Sequence, residues 1–210
     1  MAGRSKASLA LVAVLIVSGL YAGSRTLTGL GSGQAADCRF TELAHDGPTI
    51  PLRAECDWPI PVDRLRAMLD SWEAHALYFS NLEESSVLGF EGDSVIVRQI
   101  HRARGISDRE VVVKWDVAPL ERGWRYTWQK SPDQSAATGR RVEVEEYAGR
   151  WEITATETGS HLVLETRYAP GGRVPFFLVN WLQGAGIQHV LDELRSAAES
   201  DIQVASGPGS

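Results

Sequence analysis

Four large aromatic residues, Trp115, Trp124, Tyr126 and Trp128, fall close together, and the last three alternate with Arg125, Thr127 and Gln129. On a strand that spacing puts residues 124, 126 and 128 on one face. Such a face could line an apolar pocket, with indole N–H and phenol O–H groups as its polar contacts. The same pattern also describes a packed aromatic core. Asp108-Arg109 is a second candidate: an arginine can hold a carboxylate or phosphate bidentately, or pair with its neighbour to fix a strand entrance. Glu83-Glu84 could supply a general acid, though a run of charge is usually a solvated face.

Conventional catalytic patterns are missing. His45, His75, His101, His161 and His189 show no HExxH spacing and no cluster, so no metal site and no cofactor is expected. His101 and His161 could meet only through the fold. There is no nucleophile elbow, P-loop or dinucleotide-binding glycine pattern, and two cysteines cannot form a four-thiolate zinc site.

The elements that must position these residues are legible from hydrophobic period. VDRLRAMLDSW after Pro61 predicts a helix, with Leu65, Met68 and Leu69 as its apolar stripe. A short helical turn is expected over His75 to Phe79. From Ser94 onward the period becomes two: SVIVRQI, EVVVKWDV, the aromatic segment, Val142 with Val144, Trp151 with Ile153, and Leu162 with Leu164. This pattern predicts about six strands in a sheet with one covered and one wet face. Their short connections imply antiparallel neighbours. Glu165 and Arg167 share one strand face, and Thr166 takes the other. After Pro170-Gly171-Gly172, the stretch from Val174 predicts a long helix, amphipathic in its second half. Gly184 and Gly186 are expected to allow a kink or a close approach to the sheet. Residues 37–199 are read as one domain and 200–210 as a flexible tail.

The chain has 210 residues and a formal net charge of −6. From residue 37 onward it carries 18 basic and 27 acidic side chains, which argues against a nucleic-acid partner. The N-terminal segment runs the other way. Arg4 and Lys6 precede an uncharged apolar run over residues 7–23, followed by the small residues GSGQAA. Residues 1–36 therefore read as a signal peptide or an N-terminal membrane anchor with a linker. Either places the domain outside the cytoplasm, in the periplasm or tethered to the inner membrane. Cys38 and Cys56 lie equidistant from Gly47. A hairpin centred there would set them opposite each other, and an oxidising compartment would let them bond. Two free buried thiols are the alternative.

Three stretches resemble the START-like superfamily, which includes START domains and polyketide cyclase-like proteins. They are residues 61–70 followed by YFSNLEES (78–85), GISDRE (105–110), and GGRVP (171–175) with LVNWL (178–182). The likeness covers roughly residues 50–199. It implies an α+β helix-grip fold, a curved antiparallel sheet wrapped around a long C-terminal helix, with an internal cavity for a lipid or other hydrophobic ligand. Phe177 and Trp181, on that helix, then join Trp115, Trp124, Tyr126, Trp128 and Arg109 as candidate ligand contacts. The superfamily includes carriers, enzymes and regulators, so its fold does not decide among them. Binding or transfer of a hydrophobic ligand is the leading expectation. Cyclase-like chemistry on a small aromatic substrate and a noncatalytic interaction module are the alternatives.

Overall fold

The computed structural model describes residues 37–45, 49–102, 107–132, 141–174 and 176–205, with the side chains of 176–183 and 201–205 outside the description. The segment 7–23 and the turn at Asp46–Pro48 also lie outside the described residues. Among the described residues no helix is long and apolar enough to cross a membrane.

Nine strands form one sheet: β1 (Cys38–Glu42), β2 (Leu52–Trp58), β3 (Leu82–Glu91), β4 (Ser94–His101), β5 (Arg109–Leu120), β6 (Gly123–Lys130), β7 (Val142–Glu143), β8 (Glu146–Ala155) and β9 (Ser160–Ala169). Eight of them run antiparallel in the order β1-β2-β9-β8-β6-β5-β4-β3. The helices are α1 (Val62–Leu69), α2 (His75–Tyr78) and α3 (Phe176–Ala205). A 3-10 turn, Trp72–Ala74, joins the first two.

Alternation along the strands separates two faces. On one, Ala54, Cys56, Leu162, Leu164, Trp151, Ile153, Tyr126, Trp128, Val111, Val113, Trp115 and Val97 join a single buried cluster. On the other, charged side chains pair across neighbouring strands. Arg39 reaches Glu55, Arg53 joins Glu55 to Glu165, and Arg150 joins Glu165 to Glu152, which also holds Arg125. Helix α1 opens behind Pro61, whose carbonyl accepts from Arg64 N at 3.0 Å, and buries Leu65, Met68 and Leu69. Helix α3 buries Ile187, Leu191, Leu194 and Ala198, a row spaced four, three and four residues apart, in the same cluster. The molecule is thus α+β: a long C-terminal helix seated on the apolar face of an antiparallel sheet, the helix-grip arrangement.

Cys38 and Cys56 are direct partners in the β1–β2 register and form a disulfide, with Cα atoms 4.2 Å apart. Asp37, beside it, pairs with Arg195 of α3 at 2.9 Å. The start of the domain is therefore fastened both to the sheet and to the helix.

Several details differ from the sequence reading. Strand β3 was not foreseen: register shifts between Leu82 and Glu84 and between Val87 and Gly89 break the period of two. The pairing is not wholly antiparallel, because β7 runs parallel to β5, with Val142 beside Arg109. Gly184 and Gly186 do not approach the sheet, since a Cβ at either would meet nothing within 4 Å. Helix α3 continues to Ala205, past the boundary read at residue 199.

Candidate ligand site between the sheet and the long helix

The inward alternation of β4, β5, β6, β8 and β9 stacks aromatic rings down the concave side of the sheet. Trp115 lies against Trp128 with ring centroids 4.8 Å apart, and Trp72 covers Trp115 at 5.1 Å. Trp128 continues to Tyr147 at 5.7 Å and to Trp151 at 6.5 Å. His101 meets Tyr147 edge-on at 5.2 Å and lies parallel over Tyr168 at 5.6 Å. His75 and Phe79 close the α2 side, 5.7 Å apart.

A cavity of about 60 Å³ lies within this arrangement. Leu69, His75, Phe79, Asn81 and Leu82 wall it from the helical segment and the turn into β3. Gln99, His101, Trp115, Tyr147 and Trp151 wall it from the sheet, and Val190 from α3. The polar members are held without charge. Burial pulls the His75 imidazole down to about 4, against the opposing effect of the Leu69 carbonyl, to which His75 Nε2–H donates at 3.1 Å. Burial alone pulls His101 down to about 4, and its Nε2–H donates to Gln99 Oε1 at 3.3 Å. Burial raises the Tyr147 and Tyr168 phenols, with Arg109 acting in the opposite sense on Tyr168. Three buried polar atoms here have no hydrogen-bond partner among the described residues: Trp115 Nε1, Trp128 Nε1 and Asn81 Oδ1. At neutral pH the wall therefore offers neutral donors and acceptors on an aromatic surface.

The candidates from the sequence fall into distinct places. Trp115 lines the cavity. Trp128 stands behind it, stacked between Trp115 and Trp151. Tyr126 is fully buried and donates to Asp70 Oδ1 at 2.8 Å, tying the sheet to the end of α1. Trp124 carries the Arg66 guanidinium 3.6 Å over its ring. Arg109 is buried but is not among the cavity-lining residues. Its guanidinium donates to the carbonyls of Ser107 and Pro170, clamping the start of β5 to the corner after β9. Phe177 and Trp181 are on α3, with side chains outside the described residues. His101 and His161 do not meet, because His161 sits on the opposite face, paired with Asp57 at 2.8 Å. Glu84 pairs with Arg98 at 2.6 Å on the outer surface, as Glu83 does with Arg102 at 3.8 Å. Glu165 faces outward with Arg53 and Arg150.

Sequence reasoning missed His75, Gln99, His101, Tyr147, Tyr168 and Trp151 as members of one interior. The available signal was position: Gln99 and His101 continue the inward register of Val95 and Val97 on β4. Among the described residues no group of three His, Cys, Asp or Glu side chains could hold a metal.

The fold is shared with solved lipid transfer and aromatase/cyclase proteins. The STAR-related lipid transfer protein from Xanthomonas axonopodis superposes with a TM-score of 0.71 at 18% identity, over 80% of this chain and 97% of that one. Human StAR-related lipid transfer protein 5 also gives 0.71, at 13% identity, over 85% of this chain and 88% of its own. The Zhui aromatase/cyclase from Streptomyces gives 0.59 at 15% identity, over 76% and 99%. No protein-family model and no curated protein sequence matches the chain.

Proposed function

We propose that this protein binds a hydrophobic small molecule of lipid type between the concave face of the sheet and helix α3. The observation that carries the reading is the aromatic interior around Trp115, where a cavity walled in part by α3 is lined by Trp115 and Asn81, each with a buried polar atom that has no partner among the described residues. The lipid transfer proteins of the same fold support it. Acid–base catalysis is less well served. A histidine held near 4 is a weak base at neutral pH, and no carboxylate is among the lining residues.

A cavity of about 60 Å³ is far below the volume of a ligand pocket, roughly 300–1,000 Å³. Loading therefore requires part of α3 to move away from the sheet. The row Ile187, Leu191, Leu194 and Ala198 and the Arg195–Asp37 pair anchor its second half.

The proposed setting is outside the cytoplasm, with residues 1–36 as signal peptide or membrane anchor. The Cys38–Cys56 disulfide supports an oxidising compartment. The experiment is native mass spectrometry of the full chain purified gently from its host, followed by identification of what denaturation releases. A stoichiometric apolar molecule is the expected result. A ligand-free mass across several preparations overturns the reading.

A further inference from the structure

Resting on the ligand-binding reading above, we infer that the cavity selects an apolar molecule bearing a neutral hydroxyl, held between the Trp115 indole N–H and the Asn81 side-chain carbonyl. Trp115 is 3% exposed, and its Nε1 has no partner among the described residues. The buried Oδ1 of Asn81 has none either. Both residues line the same cavity, Trp115 from β5 and Asn81 from the turn before β3. One is a donor only and the other an acceptor. Leaving either desolvated and unpaired is costly, so an occupant that satisfies both is favoured over one that satisfies a single atom.

A hydroxyl is the smallest group that does this, because its oxygen accepts while its hydrogen donates. An ether or ketone only accepts and leaves Asn81 unpaired. A carboxylate or phosphate also only accepts, and brings a charge into a wall with no lysine, arginine, aspartate or glutamate among its described residues. The Nε2–H groups of the two histidines are already engaged, that of His75 with the Leu69 carbonyl and that of His101 with Gln99. Arg109, the buried cation closest in register to His101, spends its guanidinium on the Ser107 and Pro170 carbonyls. The selection thus rests on two neutral atoms.

The test offers the full chain equimolar pairs of probes at pH 7.5 and counts 1:1 complexes by native mass spectrometry. The probes are 1-decanol, decyl methyl ether and decanoate, and the same three groups on a decalin body. The alcohol is expected to outcompete the ether and the carboxylate about tenfold on at least one body. Asn81→Leu should remove the preference over the ether while both still bind. Trp115→Phe, which takes away the donor that alcohol and ether share, should weaken the two alike without abolishing ether binding, which also shows that the variants fold. Equal binding of the three groups, or preference for the carboxylate, overturns the hydroxyl selection and leaves hydrophobic binding standing. Loss of all binding in a variant that retains the native circular dichroism spectrum assigns the residue to packing and overturns its role in selection. Binding of no probe by the native chain overturns both readings.

Discussion

The phenol of Tyr126 donates to Asp70 Oδ1 at 2.8 Å, joining the middle of the sheet to the residue that ends α1. Asp70 is also paired with Arg66 at 3.3 Å, and Arg66 lies over Trp124. One inward strand face thus holds the helix through two of its aromatic residues. A hydrogen bond to a charged acceptor would be a strong contact, but the Asp70 side chain is 41% exposed, which weakens it. Tyr126→Phe should cost about 1 kcal/mol in urea unfolding, with no change in slope. A loss below a few tenths would mean that water replaces the contact without penalty.

Stability should fall with acid in a defined window. His75 and His101 have folded values near 4, below the ordinary 6.5 of the unfolded chain. Between those values the unfolded state binds more protons, so the stability present above pH 6.5 drains away as the pH falls toward 4. At pH 5 the loss approaches about 2 kcal/mol per histidine. Neither ring has a carboxylate among the partners described for it: His75 meets Leu69, Trp72, Phe79 and Trp115, and His101 meets Gln99, Tyr147 and Tyr168. Urea unfolding at pH 7 and pH 5 measures the difference, and His101→Gln should shrink it. A variant with the same acid sensitivity as the native chain would place the titration elsewhere.

The sequence showed the period of a one-sided sheet because buried and more exposed positions alternate along β6 and β8, while on β5 and β9 Val112 and Val163 are buried on the outer side as well. The row Ile187, Leu191 and Leu194 showed equally well which side of α3 faces inward. β3 was hidden because its bulges shift the inward residues out of step, whereas the strand expected at Val142 with Val144 is present as β7, two residues long. The site was half legible for a related reason. An aromatic strand such as Trp124–Trp128 is conspicuous, but which ring reaches the cavity depends on neighbours brought in from distant segments. Trp115 is there because Trp128 and Trp72 hold it from two sides, and Tyr126 is occupied by Asp70. His101 could be placed inward by its step on β4, but the neutrality of His75 and His101 gave no local sign, because it comes from burial, which a sequence does not display.

The disulfide should contribute through the unfolded chain. Cys38 and Cys56 are separated by 18 residues, and closing a loop of that size stabilises by about 3 kcal/mol. It also holds β1, and with it the Asp37–Arg195 contact to α3. A reductant should lower the midpoint of thermal unfolding of the native chain. The double variant Cys38→Ala/Cys56→Ala should begin near the reduced value and ignore the reductant. Equal midpoints for oxidised and reduced protein would show that β1 adds nothing to the cooperative unit.

Gly149 sits on the inward face of β8 beneath the Trp128 ring, its backbone opposite Thr166 on β9 and Trp128 on β6. A Cβ there would collide with the Glu165 carbonyl oxygen and lie 2.7 Å from Trp128 Cη2. The carbonyl belongs to the paired strand and cannot retreat without breaking the ladder. Trp128 cannot swing freely, because Trp115 and Trp151 flank it. Gly149→Ala should therefore destabilise by about 1–3 kcal/mol through overpacking. Because the displaced ring backs the cavity wall, the change should also alter tryptophan fluorescence and weaken binding of the apolar probe. Pairing it with Trp128→Leu frees the space on one side, so the double variant should lose less than the two single losses added together. Strict additivity would place the strain at the Glu165 carbonyl alone.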